Sequence, residues 1–489
     1  MSARDVAALG FAGGSVTPLP KSPKRSREQG TQPAPAAPGR HRNLTDLGNA
    51  ERLADQQAAD LRFCEARGWM VFDARRWRHN EPEAMRRAKA TVRGIYAEAA
   101  HVEDDDERKR LVAHARASEG LARLEAMLRL ARSERPFEIV QGAFDADPLL
   151  LNVLNGTIDL RTGELRPHRR EDLLTKLVTV AYDPTARCDA WERFLRDTTG
   201  GNEELIGFLR RAVGYSLTGL TSEEKLFFVH GPAASGKSSF VEGIKTMMGD
   251  YARAADFESF LARRDASGAP RNDLAALAGA RFVPSIEVDD GRRLAAGLVK
   301  QLTGGDTIAA RFLYKETFEF LPSFKLWLVA NDAPRVSDAD SGMWRRILRV
   351  PFVHEVPPDR RDPKLKTLLK DPTRGGAAIL AWAVRGCLEW QERGLDPPAL
   401  VTTATEDYRR SQDPLRDFVD ERCRLDPTLW TRTAELRAAY ERWCAETGEL
   451  HPLGRRSLAE RLTRLGAAAD KTTGGMRIWR GVGLVDTGA

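Results

Sequence analysis

The sequence predicts an α/β fold with several domains, on three observations. The chain has 489 residues, which is more than one ordinary domain holds, and 42% of them are hydrophobic. Residues 225–230 form an apolar run typical of a buried strand, followed by a glycine-containing loop and a helical segment at 239–244. Helix-forming segments before and after this strand–loop–helix unit indicate further domains on both sides.

Composition limits the classes of function. The net charge of +6 permits nucleic-acid binding without proving it. No apolar run reaches the roughly 18 residues of a membrane span, and no signal-peptide core follows the start, so we expect a soluble intracellular protein with no membrane partner. The five cysteines contain no C-x-x-C pair, which supports neither a disulfide framework nor a zinc site.

The N-terminal third is predicted to be a tail followed by helices. Residues 1–45 carry Gly, Pro, Ser and basic residues with little apolar periodicity, which predicts a disordered basic tail; a solvated linker is favoured over a nucleic-acid-binding arm. A helix is predicted over 49–67, a small hairpin over 68–77, and charged helices to about residue 134.

The acidic run at 103–107 lies among these helices. Three aspartates could suggest metal-dependent catalysis, but adjacent carboxylates do not converge on one point, so a solvated turn or helix face is favoured. Residues 149–160 then predict strands joined at the turn Asn155-Gly156, with a second turn at 161–164. Helices are predicted at 189–196 and 203–216.

The C-terminal region predicts helices and a hairpin. A helix is expected from about 375 to 393, and Pro397 and Pro398 mark a joint. Amphipathic helices at 432–447 and 457–465 precede two short β-type runs, a pattern that indicates a winged helix. Basic residues would line its second helix and its wing, namely Arg455, Arg456, Arg461, Arg464, Lys471 and Arg477. DNA contact and a protein-contact or structural role both remain open.

The loop at 231–238 reads G-x-x-x-x-G-K-S, the pattern of a phosphate-binding loop. Its glycines let backbone N–H groups curl around a β-phosphate, and the following helix points its positive end at the same anion. Lys237 can reach the β- and γ-phosphates, and the Ser238 hydroxyl can bind Mg²⁺. The predicted nucleotide-binding residues are Gly231, Pro232, Ala233, Ala234, Ser235, Gly236, Lys237, Ser238 and Ser239.

Such a loop needs a carboxylate for the metal and the attacking water. Glu287 ends a mostly apolar run and is the candidate for both roles, with Asp289 or Asp290 as residues that could share the metal. The competing interpretation is a surface acid after an edge strand. Pro284 interrupts this strand, which a central strand disfavours because proline cannot donate its ladder hydrogen bond.

Three further signals follow in the chain. Two β-type runs flank a predicted hairpin tip where Lys315 could contact phosphate and Tyr314 or Phe312 could stack on a base. Asn331 ends a buried-type strand and could orient water near the γ-phosphate. Arg345 or Arg346 could be an arginine finger that reaches a neighbouring subunit's nucleotide, although a pair of arginines is more often structural.

The order of these motifs resembles that of superfamily 3 helicases, specifically the phage and plasmid primase–helicase family related to the poxvirus replication ATPase. The matching text is GPAASGKSSF, VKQLTGGDTIAARFLYKETFEF, FKLWLVAND and MWRRILRVPF. The resemblance implies an AAA+-like P-loop core in which Lys237 and Ser238 bind ATP and Mg²⁺, Glu287 activates water and Asn331 senses the γ-phosphate. It also implies a ring hexamer, with Arg345 or Arg346 acting in trans and Lys315 with Arg311 contacting DNA.

The resemblance covers about residues 50–485 and suggests a domain plan. We predict a disordered basic tail (1–45), an N-terminal α+β domain (46–195), a helical collar (196–221), a superfamily 3 P-loop helicase core (222–375), a helical linker (376–405) and a winged-helix-like domain (406–489).

The expected function is that of an ATP-dependent replicative DNA helicase of a phage, plasmid or other mobile element, acting on single-stranded or forked DNA in a bacterial cytoplasm. The alternative is an ATP-dependent replication initiator or loader with little unwinding. Only about 45 low-complexity residues precede the helical domain, so we expect no primer synthesis by this chain; a separate primase is a candidate partner.

Overall fold

The computed structural model describes residues 42–261, 271–286, 293–311, 317–331, 333–336, 341–412, 414–447 and 452–485. Almost all of the predicted basic tail therefore lies outside the described residues. The chain divides into two compact units. One contains residues up to Ala58 together with Met85–Glu134, and the other contains Ala59–Ala84 and Arg135–Ala489.

The first elements of the chain include four helices and a small sheet. In chain order they are α1 (Asp46–Gln57), β1 (Leu61–Cys64), β2 (Gly68–Phe72), β3 (Trp77–His79), α2 (Glu81–Ala100), α3 (Asp105–Ser118) and α4 (Leu121–Ala131). The predicted hairpin is confirmed by the antiparallel pairing of β2 with β3. The predicted helix at 49–67 is wrong beyond Gln57, because residues 61–64 pair with β2 instead.

The acidic run at 103–107 forms the start of α3. The Asp104 carboxylate accepts a hydrogen bond from the Glu107 backbone N–H at 2.7 Å and so caps the helix. The following acids lie in the first turn, where negative charge is favoured by the helix dipole. Among the described residues, no group of three or more His, Cys, Asp or Glu side chains is placed to hold a metal ion.

The next segment contains an antiparallel sheet and two helices. Its elements are β4 (Leu150–Val153), β5 (Gly156–Asp159), β6 (Glu164–Arg166), α5 (Asp189–Thr199) and α6 (Glu203–Leu217). The predicted turns at Asn155-Gly156 and 161–164 join these strands in the order β4-β5-β6. Both predicted helices are present and extend one turn or less beyond their expected ends.

A parallel sheet forms the centre of the larger unit, as the α/β prediction requires. The elements of this region are β7 (Leu226–His230), α7 (Lys237–Met248), α8 (Asn272–Ala275), β8 (Phe282–Ile286), α9 (Ala296–Thr303), β9 (Ile308–Arg311), β10 (Thr317–Phe320), β11 (Lys325–Ala330), α10 (Ser341–Trp344) and β12 (Ile347–Pro351). The described strands of the sheet run in the order β12-β7-β11-β8, and all neighbours are parallel. Both faces are covered, which explains why β7 and β11 are apolar except for His230 at the end of β7 and Lys325 at the start of β11.

Pro284 lies in β8, at the edge of the described sheet. On the open side of β8, the carbonyls of Phe282 and Pro284 accept hydrogen bonds from the backbone N–H groups of Arg253 and Ala255, both at 3.0 Å. Proline can supply a carbonyl although it has no N–H, so this position tolerates it. The sequence argument against Pro284 in a central strand therefore does not apply to the described arrangement.

Two buried cations fix the end of α6 to the start of the sheet. Lys325 Nζ donates to the carbonyls of Thr218 at 2.5 Å and Leu220 at 3.1 Å, and it lies 4.7 Å from the centre of the Tyr215 ring. Arg281 donates to the carbonyls of Leu217 and Leu150. Burial lowers the pKa of Lys325 well below its ordinary value.

The C-terminal part of the chain is helical, with one more sheet. Its elements are α11 (Leu365–Lys370), α12 (Gly375–Arg393), α13 (Ala399–Ser411), α14 (Pro414–Arg422), β13 (Cys423–Arg432), α15 (Thr433–Thr447), α16 (Arg455–Arg464), β14 (Ala468–Lys471) and β15 (Arg477–Leu484). The predicted helices at 375–393, 432–447 and 457–465 and the final hairpin are confirmed. The antiparallel sheet β13-β15-β14 also contains a strand, β13, that the sequence did not predict.

Helices α6 and α12 pack with their backbones in close contact. A β-carbon at Gly214 would lie 2.1 Å from the Cys387 backbone nitrogen, and one at Gly386 would lie 2.0 Å from the Arg210 carbonyl oxygen. Only glycine fits at both positions, because even a methyl group would overlap the facing backbone.

Across the described ranges, no helix combines the length and the apolar character that a membrane span requires.

Candidate nucleotide-binding site

The loop at 231–238 connects the end of β7 to the start of α7, as its sequence predicts. Gly231 has φ +150° and Gly236 has φ +89°, and Ala234 also has positive φ. A β-carbon at Gly231 would lie 2.0 Å from the Phe352 carbonyl oxygen, and one at Gly236 would lie 2.3 Å from Thr198 Cγ2. The loop therefore needs both glycines for steric as well as conformational reasons.

Lys237 begins α7, and its ammonium group lies within the loop. Nζ donates to the carbonyl oxygens of Gly231 at 2.6 Å and Pro232 at 2.7 Å. The residue is 7% exposed, and burial lowers its pKa from the ordinary value for lysine. A cation held at a helix N-terminus beside exposed backbone can bind a phosphate group.

A cleft of about 700 Å³ opens over this loop. It is lined by residues 233–239, by Asn331, by side chains of α5 and by parts of the segment 356–366. Ser238 is exposed to solvent. Of the two predicted metal ligands, Ser238 and Glu287, the structure describes Ser238. Glu287, Asp289 and Asp290 lie outside the described residues, so their predicted roles remain predictions.

Asn331 follows the last residue of β11 and lines the same cleft as the loop. The carboxyl ends of parallel strands meet at one edge of a sheet, where α/β proteins bind their ligands. Since β11 lies between β7 and β8, this edge brings Asn331 next to the loop on the side of β8. The contact of Asn331 with the terminal phosphate remains a prediction.

Arg345 and Arg346 lie at the opposite edge of the sheet. They immediately precede β12, whose first residue, Ile347, pairs with Leu226 at the start of β7. The loop follows the other end of β7, and five residues of strand span about 13 Å. Neither arginine lines the cleft of its own chain.

The predicted DNA contacts fall mostly outside the described residues. Arg311 ends β9 with its side chain exposed, whereas Phe312, Tyr314 and Lys315 are not described. In the C-terminal sheet and helices, the predicted basic residues are exposed, except that Arg461 is half-buried; they are Arg455, Arg456, Arg461, Arg464, Lys471 and Arg477. Arg456 forms a surface ion pair with Glu460 at 2.9 Å.

Several cleft residues were missed by the sequence reasoning. Arg193 and Asp197 lie four residues apart on α5 and face the cleft, and Arg360 and Lys366 approach it from the segment after β12. No motif in the sequence marks them, because they meet the loop only through the tertiary fold. The spacing of Arg193 and Asp197 on one helix face was the one signal available.

His230 directly precedes the loop and is largely buried. Its pKa is lowered to about 4, first because burial disfavours the charged ring and then because Arg349 and Lys237 add positive charge. His230 is therefore neutral near pH 7. In the described structure its Nε2 atom is buried without a hydrogen-bond partner.

The chain is similar to one family model and to several viral proteins. Residues 50–200 match the family model described as "D5 N terminal like". The chain is 28% identical over 308 residues to "Putative helicase L207/L206" of Acanthamoeba polyphaga mimivirus, covering 58% of this chain and 32% of that protein. It is 30% identical over 251 residues to "Putative helicase 022R" of Frog virus 3, covering 48% and 26%.

A third viral protein and a solved structure are also similar to the chain. "Putative primase C962R" of African swine fever virus is 23% identical over 326 residues, covering 61% of this chain and 33% of that protein. The chain thus spans about a quarter to a third of the length of these curated relatives. The solved structure titled "The apo structure of NrS-1 C terminal region (305-718)" has a TM-score of 0.50 and 10% identity, over 90% of this chain and all of that one, which is a likeness of fold.

The parallel sheet, its glycine loop and the cleft above them define a mixed α/β protein with an NTPase-like core. Residues 50–200 are similar to the D5 N terminal like family, and longer stretches of the chain are similar to viral proteins named as putative helicases and a putative primase.

Proposed function

We propose that this chain is an ATP-dependent DNA helicase subunit of a replication system. The observation that carries the proposal is the buried ammonium of Lys237, held 2.6 Å from the Gly231 carbonyl in a glycine loop beneath a cleft that also includes Asn331. A cation, a helix N-terminus and a polar amide at one sheet edge are suited to a nucleoside triphosphate. The printed names of the viral relatives support helicase chemistry.

ATP with Mg²⁺ is the proposed nucleotide. The residues present fit these groups: the loop offers backbone N–H groups and Lys237 to the phosphates, and the exposed Ser238 hydroxyl is a ligand that Mg²⁺ accepts. Bound Mg²⁺ would neutralise charge on the β- and γ-phosphates. Glu287 is the proposed base that takes a proton from the attacking water, with Asp289 or Asp290 sharing the metal.

An assembly of several chains, a ring hexamer by family resemblance, is part of the proposal. Its support is the position of Arg345, which is exposed at the sheet edge remote from its own cleft. An arginine at that edge can stabilise transition-state charge only in the site of another chain. Arg346 is buried and is not proposed for this role.

We propose AAA+-like organisation for the core, with the domain boundaries predicted above. The order α14, β13, α15, α16, β14, β15 supports a winged-helix-like C-terminal domain, in which α16 and the β14–β15 hairpin carry the exposed basic residues. DNA contacts are proposed for these residues and for Arg311, Tyr314 and Lys315.

The test is strand displacement on a forked DNA duplex. Wild type should unwind the fork in the presence of ATP and Mg²⁺, and Lys237→Ala should lose both ATP hydrolysis and unwinding. Lys245→Ala is the matched control, because Lys245 lies on the same helix and forms only a surface ion pair with Glu242 at 3.1 Å. Equal unwinding by wild type and Lys237→Ala would refute the proposal.

A replication initiator or loader is the second candidate function. It would use ATP to assemble on DNA, with little unwinding, and the exposed arginines near the C-terminus favour it. Lys315→Ala separates the two: a helicase should lose unwinding and keep its basal ATP hydrolysis, with Lys89→Ala, at an exposed position of α2 that does not line the cleft, as control. If the protein is an initiator, Lys315→Ala and the control variant should both assemble on DNA, and wild type itself should unwind little.

Absence of primer synthesis is also proposed, although the printed name of one viral relative is a primase. Incubation with single-stranded DNA template and ribonucleotides checks it; labelled primers made by the pure protein would contradict it. A separate primase partner and a bacterial host remain proposals, and the relatives named above belong to viruses of eukaryotes.

A further inference from the structure

Helix α5 packs directly against the phosphate-binding loop. A β-carbon at Gly236 would lie 2.3 Å from Thr198 Cγ2 and 2.9 Å from Phe194 Cε2, so the two backbones are separated by little more than these side chains. The helix lies at the end of the segment matched by the D5 N terminal like model, residues 50–200. One wall of the cleft is thus built by a segment that precedes the parallel sheet in the chain.

The cleft has two distinct flanks. Asn331 follows β11 on one side of β7, and β12 lies on the other side of β7. The segment after β12 returns to the loop, where the Val356 backbone N–H donates to the Ala234 carbonyl at 3.3 Å. A nucleotide whose terminal phosphate lies near Asn331 must extend its ribose and base toward the flank formed by α5 and residues 356–366.

The side chains on this second flank suit a ribose and a base. Val356, Pro363 and Leu365 supply apolar surface, and Arg193 and Asp197 supply polar groups from α5. Among the described residues, neither Arg193 nor Asp197 has an ion pair or side-chain hydrogen bond. Asp197 also lies in the last turn of α5, where the helix dipole disfavours a negative charge.

We propose that α5 and residues 356–366 form the ribose and base subsite of the nucleotide cleft. Asp197 accepts hydrogen bonds from the ribose hydroxyls, a role that carboxylates fill in other nucleotide-binding folds. Arg193 lies over the face of the base, where a guanidinium is attracted to an aromatic ring. The inference rests on the proposed function, because it takes the orientation of the nucleotide from Asn331.

Binding of ADP, 2′-deoxy-ADP and pyrophosphate, each with Mg²⁺, tests this assignment by calorimetry on the full chain. Asp197→Ala should weaken ADP binding about tenfold and remove the preference for ADP over 2′-deoxy-ADP, because one charge-assisted hydrogen bond is lost. Arg193→Ala should weaken both nucleotides about threefold. Pyrophosphate lacks ribose and base, so its affinity should be unchanged in both variants.

Controls come from the same helix. Arg196→Ala and Glu192→Ala alter exposed or half-exposed residues of α5 that do not line the cleft, and both should bind like wild type. Equal weakening of pyrophosphate and ADP would place Arg193 on the phosphates and overturn the assignment. If Asp197→Ala and Arg193→Ala bind ADP as well as the control variants do, the assignment is also overturned. In that case the proposed function still stands, provided that wild type binds ADP more tightly than Lys237→Ala does. Wild type that binds no better than Lys237→Ala would overturn both.

Discussion

The guanidinium of Arg346 lies 2.9 Å from the carboxylate of Glu224. Arg345 reaches the same carboxylate at 3.1 Å, but its side chain is 64% exposed, against 8% for Arg346. Arg346 also donates to Thr303 Oγ1 at 3.1 Å and to the Gly342 carbonyl at 2.8 Å. Arg346 is therefore fixed inside its own chain, and Arg345 is the one that can exchange its surface partner for a neighbour's ligand.

Substitution of the two arginines should affect different properties of the protein: stability for Arg346 and ATP hydrolysis for Arg345. Arg346→Ala should lower the free energy of unfolding by about 3 kcal/mol, because it removes a buried partner of Glu224 and Thr303. Arg345→Ala should change stability by less than about 1 kcal/mol, since exposed ion pairs contribute little. It should, however, lower ATP hydrolysis at least about 100-fold in the assembled protein. Denaturant unfolding and ATPase rates measure the two effects; full ATPase activity in Arg345→Ala would contradict the trans role.

Gly236→Ala should disrupt the phosphate-binding loop. The new methyl group meets Thr198 and Phe194 at a backbone with φ +89°, so both strain and overlap arise. We expect at least a tenfold loss of ADP affinity. Gly201→Ala is the matched control, because it has φ +76° with no atom within 4 Å of the added carbon. The control should lose about 1 kcal/mol of stability and bind ADP normally; an equal loss of binding would assign the effect to backbone strain alone.

Lys325→Met should destabilise the larger unit by about 3 kcal/mol or more. The change keeps the length of the side chain but leaves the carbonyls of Thr218 and Leu220 without their buried donor. Urea denaturation followed by fluorescence is the measurement. The exposed Lys364→Met should stay within about 0.5 kcal/mol of wild type. An unaffected Lys325→Met would mean that these carbonyls find other donors.

His230 should make stability depend on pH between about 4 and 6.5. Its pKa is about 4 in the folded chain and about 6.5 when unfolded, so in this interval the unfolded state binds more protons. The contribution of the neutral His230 ring to the free energy of unfolding is therefore fully present above pH 6.5. It is lost as the pH falls to 4, which lowers the free energy of unfolding by up to about 3 kcal/mol.

Comparison of wild type with His230→Gln isolates this contribution. As the pH is lowered from 7 to 4.5, the free energy of unfolding should fall more in wild type than in His230→Gln. A constant difference for His230→Gln would show that burial of the ring does not govern its titration.

Elements set by local pattern were predictable from the sequence, and those set by distant pairing were not. Helix α12 begins and ends where its apolar periodicity predicts, and the glycine loop follows its strand as expected. The helix predicted over 49–67 failed because Leu61–Cys64 pairs with β2, and Phe63 also bridges to Glu138. Such pairing outweighs local helix preference.

The site shows the same division. The loop from Gly231 to Ser238 and the amide of Asn331 could be placed from sequence, because each follows a strand end that the apolar runs reveal. The choice between Arg345 and Arg346 could not be made, since it depends on burial against Thr303. Asp197 could not be predicted for a related reason, because the cleft wall to which it belongs forms only when α5 packs on the loop.

The contact between Gly214 and Gly386 has a consequence for the order in which the chain can fold. The residues between them contain all four described strands of the parallel sheet. During synthesis, α6 therefore emerges long before α12, and the face that α12 covers stays open until the whole sheet has been made. Closing so long a loop is slow, and exposed apolar surface favours aggregation in the meantime. A chain interrupted before Gly375 would lack this last partner, so the core should reach its native state only as one piece.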